Sequence, residues 1–97
     1  MTARKGSKTF PFRPDYAVRP GVTIREVLLE RGLTQVEVAR QWGVSPSVVS
    51  DLIFGRYAIT ANVALRLEGT TGVTAAFWMG LQSNFDLAVA RGAKVVE

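Results

Sequence analysis

The side chains best placed for specific chemistry in this sequence form a short polar run, Ser45, Pro46, Ser47, Ser50 and Asp51, flanked by Gln35 upstream and Arg56 downstream. Their chemistry is hydrogen bonding rather than bond making. Hydroxyl, amide, carboxylate and guanidinium groups match the base edges and phosphates of a nucleic-acid duplex. Catalysis finds no comparable set. The chain has no His and no Cys, so the commonest general base, the thiolate nucleophile and the commonest metal ligands are all missing. Its eight carboxylates do not group as an acid and base pair, and there is no Gly-rich phosphate loop. The sequence therefore reads as a non-enzyme with no catalytic residue, no metal site and no cofactor.

The elements that must carry the polar run are marked by local chemistry. Thr34-Gln35-Val36-Glu37 is a capping box, in which hydroxyl and carboxylate each satisfy an unpaired backbone N–H at a helix start. Gly43 stops that helix. Ser45 is placed to cap the next one, Pro46 occupies its first position, where a missing N–H costs nothing, and Gly55 supplies a left-handed end. Two short helices joined by Gly43-Val44 are the helix-turn-helix plan. Ala39 is small enough for a close crossing, and Val44 with Val49 pins the second helix on the first. In that geometry the second helix enters the major groove with its N-terminal residues nearest the bases. Pro46, Ser47, Ser50 and Asp51 are thus the expected base-reading residues. Gln35, Ser45 and Arg56, at the helix starts and just past the second helix, are expected on phosphates. For Asp51 two fates stand open, acceptance of a hydrogen bond from cytosine N4 or pairing with Arg56.

Three further helices complete an all-α architecture of five. One spans about residues 21–31 with Ile24, Val27 and Leu28 on one face. Another follows Thr60, burying Val63, Ala64 and Leu67. The last follows Thr74 and runs to about residue 90, with Gly92 as its stop and residues 93–97 frayed. In the second helix Val36, Ala39 and Trp42 are expected to face inward. In the fifth, Phe77, Leu81, Phe85 and Ala88 form a stripe at helical spacing. Phe77 and Leu81 are expected in the monomer core, and Trp78 or Phe85 at a two-fold interface, because a helix apolar beyond one face commonly covers a partner.

At 97 residues there is length for one core and not two. No apolar run reaches the roughly 18–20 residues that a bilayer requires, so a soluble, cytoplasmic protein without membrane contact is expected. The net charge of +4 is localised. Residues 1–19 carry Arg4, Lys5, Lys8, Arg13 and Arg19 against Asp15 alone, and the rest of the chain is formally neutral. Gly6, Pro11 and Pro14 with no apolar periodicity make this segment a basic, flexible arm ahead of a domain over residues 20–92. Such an arm suits DNA or an acidic protein face, and it suits a plain solubilising tail equally well. Its Phe10, Phe12 and Tyr16 could dock on the domain or on a partner.

One group of segments is narrower than a generic helix-turn-helix: Pro20-Gly21, Gly32-Leu33-Thr34-Gln35, Gly43-Val44-Ser45-Pro46-Ser47, Ala58-Ile59-Thr60-Ala61, Ala64-Leu65-Arg66-Leu67 and Phe77-Trp78-Met79-Gly80-Leu81-Gln82. Together they resemble the HigA family of antitoxins, within the superfamily of lambda-repressor-like DNA-binding domains. The resemblance implies a homodimer, joined through its C-terminal region, that binds double-stranded operator DNA. It implies repression of the protein's own operon and neutralisation of a RelE-like (HigB-type) mRNA endonuclease toxin. Val48 stands where such relatives often carry a basic residue, and Phe54 where a small polar residue is usual. Two alternatives remain from the residues themselves: a stand-alone phage-type repressor, and a protein-interaction antitoxin whose helix-turn-helix is structural.

Overall fold

The computed structural model describes residues 16–96. Five helices run in the order α1 (Pro20–Glu30), α2 (Gln35–Trp42), α3 (Pro46–Ile53), α4 (Ala61–Thr71) and α5 (Ala75–Ala90), with short strands β1 (Tyr16–Val18) and β2 (Lys94–Val96) at the two ends. The caps explain the boundaries. Thr34, Thr60 and Thr74 each accept from the backbone N–H three residues on, at Glu37, Val63 and Phe77. The carboxylate of Glu37 accepts in return from the Thr34 N–H at 2.8 Å, completing the capping box. Gly43 and Gly72 close α2 and α4 in the left-handed conformation, with φ of 70° and 80°, where a side chain would be strained. Ser45 holds the N-cap position of α3 but makes no capping bond; its hydroxyl pairs with that of Ser47 at 2.9 Å.

Within the described residues, two short segments differ from the flexible arm and frayed tail expected there. Residues 16–18 and 94–96 pair as a parallel two-stranded ribbon, Ala17 opposite Val95. Ala17 is buried between exposed Tyr16 and Val18, the alternation of a strand with one covered face. Three residues are too few for that period to be read from sequence, and the pairing joins segments from opposite ends of the described chain. The rest of the basic arm, with Arg4, Lys5, Lys8, Phe10, Phe12 and Arg13, lies outside the described residues.

The core draws on every helix: Ile24 and Leu28, Val38 and Ala39, Val49, Leu52 and Ile53, Ala64 and Leu67, with Ile59 from the loop before α4 and Trp78 from α5. Two expectations are corrected here. Val38 is fully buried while Val36 is 52% exposed. The inward set of α2 is thus Val38, Ala39 and Trp42, the helical spacing set by a first turn beginning at Gln35.

On α5 the first member of the expected stripe is replaced by its neighbour. Trp78 is 0% exposed and Phe77 is 45% exposed, so Trp78 belongs to the core and cannot form a two-fold interface, and Phe77 lies outside the core. Trp78 donates its indole N–H to the Val73 carbonyl at 3.2 Å, and Phe77 meets its ring edge-on at 5.4 Å. A helix apolar on all sides does not declare its buried face. Leu81 does pack against the core as expected. Phe85 is half-buried, in a cleft it shares with Pro20, Leu52 and Ala58.

Helix α1 crosses α3 at Gly21. A Cβ there would overlap the Ile53 carbonyl and lie 2.9 Å from the Ile53 Cα. Both partners are rigid backbone, so the two helices must separate to accept a side chain. Gly21→Ala is expected to destabilise the protein by about 1–3 kcal/mol or more. Gly69→Ala, in α4 with open space around it, should instead stabilise it by about 0.5–1 kcal/mol. Denaturant titration of the two variants checks both signs.

Candidate nucleic-acid interface

The helix-turn-helix is built from the inside outward. Gly43 turns the chain, the Val44 N–H donates to the Ala39 carbonyl at 3.0 Å, and Val44 is drawn onto the core. Val49, Leu52 and Ile53 then face inward, which turns the opposite arc of α3 to solvent. Pro46 and Ser47 are exposed on that arc, and Ser50 and Asp51 are half-exposed. The four expected base-reading residues therefore share one face, as helical spacing requires. Phe54 lies at the C-terminal end of the same arc and is exposed.

The expected phosphate residues stand around this face. Gln35 is the first residue of α2 and Ser45 directly precedes α3. Each therefore sits where unpaired backbone N–H groups and the positive end of a helix dipole attract an anion. Glu37 adds a negative charge to the same turn of α2. The Thr34 N–H, and after it the Thr34 hydroxyl, hold its carboxyl below the usual glutamate range. A carboxyl lowered in this way supports the folded state above its unfolded value, and that support is lost as pH falls through its folded value. The cap is thus intact at neutral pH.

Arg56 does not stand alone. Its guanidinium pairs with Asp51 at 3.1 Å and lies over the Phe54 ring, 5.9 Å from the centroid. Of the two fates open to Asp51, the structure shows the pairing with Arg56. Phe54 enters the site through that contact, and its exposed place one turn beyond Ser50 was the available signal.

Two polar links secure the unit to the body. Trp42 donates its indole N–H to the Thr70 hydroxyl at 2.8 Å and accepts from Arg66 at its carbonyl, joining α2 to α4. Gln82 of α5 accepts from the buried Ile59 N–H at 2.8 Å and donates to Asp86 at 2.9 Å. The second link fastens the loop before α4 to α5, the Ile59 N–H supplying the donor and the Gln82 carboxamide its acceptor.

Two short helices crossed in this way, with the second helix's polar arc outward on a five-helix body, define a helix-turn-helix DNA-binding protein. A family profile described as helix-turn-helix matches residues 24–78. The uncharacterised HTH-type transcriptional regulator YddM of Escherichia coli K12 is 36% identical over 72 residues, covering 74% of this chain and 77% of that protein. The antitoxin HigA of Pseudomonas aeruginosa, solved with the higBA promoter, is 37% identical with a TM-score of 0.69, covering 80% of this chain and 83% of that one. An addiction module antidote protein of the HigA family from Coxiella burnetii is 29% identical with a TM-score of 0.66, over 81% and 84% of the two chains. The chain belongs to the HigA family of helix-turn-helix antitoxins. This is a family of DNA-binding antitoxins and regulators, not of enzymes. Among the described residues, no helix is long and apolar enough to cross a membrane.

Gln82→Ala leaves the Ile59 N–H, on a residue only 3% exposed, without its side-chain partner. It is expected to cost about 1–3 kcal/mol. Asp86→Ala removes only the exposed end of the same chain of bonds and should stay within about 0.5 kcal/mol. Thermal or denaturant unfolding distinguishes the two.

Proposed function

We propose that this protein is the antitoxin of a type II toxin–antitoxin pair, which binds operator DNA as a dimer to repress its own operon and neutralises a RelE-like (HigB-type) mRNA endonuclease. The observation that carries the DNA half is the outward arc of α3, presented by the same fold as the promoter-bound HigA relative. On this reading Pro46, Ser47, Ser50 and Asp51 face base edges in the major groove. Gln35, Ser45 and Arg56 serve the backbone. The toxin half rests on family membership. YddM is called an uncharacterised HTH-type transcriptional regulator, a name that mentions no toxin, and a repressor acting without a toxin is the second reading. A small basic reading frame beside the gene supports the first reading, and a lysogeny cassette supports the second.

Dimerisation follows from the need for two half-sites, because a single small module buries too little DNA surface for tight specific binding. With Trp78 inside the monomer, the candidates on α5 are the outer side of Phe85 and the exposed Phe77, Met79 and Leu87. Sedimentation equilibrium is expected to give a dimer at tens of micromolar, and Leu87→Glu a monomer with the helical content retained. A wild-type monomer that stays monomeric on DNA contradicts the reading.

The hydroxyls of α3 test sequence reading directly. Ser47→Ala and Ser50→Ala should each cost roughly 1–3 kcal/mol on the operator and little on a scrambled duplex. Ser47 is expected to be the stronger of the two, because it is exposed in the first turn of α3 while Ser50 is half-buried one turn further on. Equal losses on both duplexes would show that α3 does not read bases.

A further inference from the structure

Asp51 and Arg56 form an ion pair on the face of α3 that would meet DNA, and the chain is folded to make it. The Arg56 N–H donates to the Asp51 carbonyl at 2.9 Å, and Gly55, at φ +83°, turns the backbone so that both side chains lie on one side. The guanidinium then reaches Asp51 at 3.1 Å above the Phe54 ring. The Arg56 side chain is 65% exposed and that of Asp51 34%. A pair so open to water is weak, and a DNA phosphate can compete with the carboxylate for the guanidinium.

The two partners fare differently when the pair opens. Arg56 exchanges a carboxylate for a phosphate. Asp51 is left as an unpaired anion against a polyanion, and it is relieved only where a base edge offers an amino group, at cytosine N4 or adenine N6. We propose that the Asp51–Arg56 pair is a latch that makes a phosphate contact conditional on base identity. On an arbitrary duplex it stays closed, and Arg56 adds nothing to backbone affinity. Opposite a suitable amino group it opens, Asp51 accepts from the base and Arg56 moves to the phosphate. Phe54 shelves the closed state by holding the guanidinium over its ring. The latch rests on the DNA-binding reading above and assigns Asp51 and Arg56 one joint role in specificity.

The test uses the full chain, an operator duplex from its own promoter and a scrambled duplex of equal length, titrated across a salt series. Asp51→Asn removes the charge that holds Arg56. The variant should bind the scrambled duplex about three- to tenfold tighter, with a log–log salt slope steeper by about 0.9, and the operator-to-scrambled ratio should fall. Arg56→Ala should weaken operator binding and change scrambled binding by no more than about twofold. The latch is overturned if Asp51→Asn leaves scrambled affinity and slope at wild-type values. It is equally overturned if Arg56→Ala weakens both duplexes by the same factor, the mark of a phosphate contact that is always made. A wild-type chain that does not prefer its operator contradicts the DNA-binding reading itself, which separates that failure from failure of the latch.

Discussion

Gly21 places the backbone of α1 directly against the carbonyl of Ile53, and the position of α3 follows from that contact. A helix that presents a polar arc to a partner must be held from behind by something stiffer than side chains. Here α1 abuts the C-terminal end of α3, and α2 and the turn after it support it through Ala39 and Val44. Because both surfaces at Gly21 are main chain, little can give between them, and the outward arc inherits that rigidity. Trp78 adds α5 to the same core, and Phe85 brings α5 alongside Leu52 of α3.

The polar links extend this logic. The buried Ile59 N–H opens the segment leading into α4 and would be a costly orphan without the Gln82 carboxamide. Gln82 in turn sits where the Trp78 and Leu81 contacts place it. The loop that follows α3 is therefore fastened to α5 by one hydrogen bond, and Arg56, just after α3, departs from a fixed base. The capping box at Thr34 and Glu37 does the same for the start of α2, where Gln35 stands.

Much of this was legible in the sequence because it is written in local chemistry. Thr34, Thr60 and Thr74 mark helix starts, Gly43 and Gly55 mark ends, and Pro46 fits the first turn of α3. The shared face of the candidate site could be read for the same reason, since Ser47, Ser50 and Asp51 are placed on it by helical spacing alone. What was not legible depends on contacts between distant segments or on phase. Phe77 and Trp78 are adjacent aromatics on a helix apolar all round, and only the packed core decides which of them is buried. The β1–β2 ribbon joins three-residue strands from opposite ends of the described chain. The Gln82–Ile59 bond joins residues that no spacing rule connects.

The central claim is that α3, held in this way, is the surface that meets operator DNA. Amide chemical-shift mapping of the full chain against its promoter duplex tests that most directly. The largest changes are expected at Gln35, at Ser45 and Ser47, at Ser50 and Asp51, and at Arg56, with α4 unmoved. Changes confined to α4 and α5, with the outward arc of α3 silent at saturating duplex, would contradict the claim and make the helix-turn-helix a structural support alone.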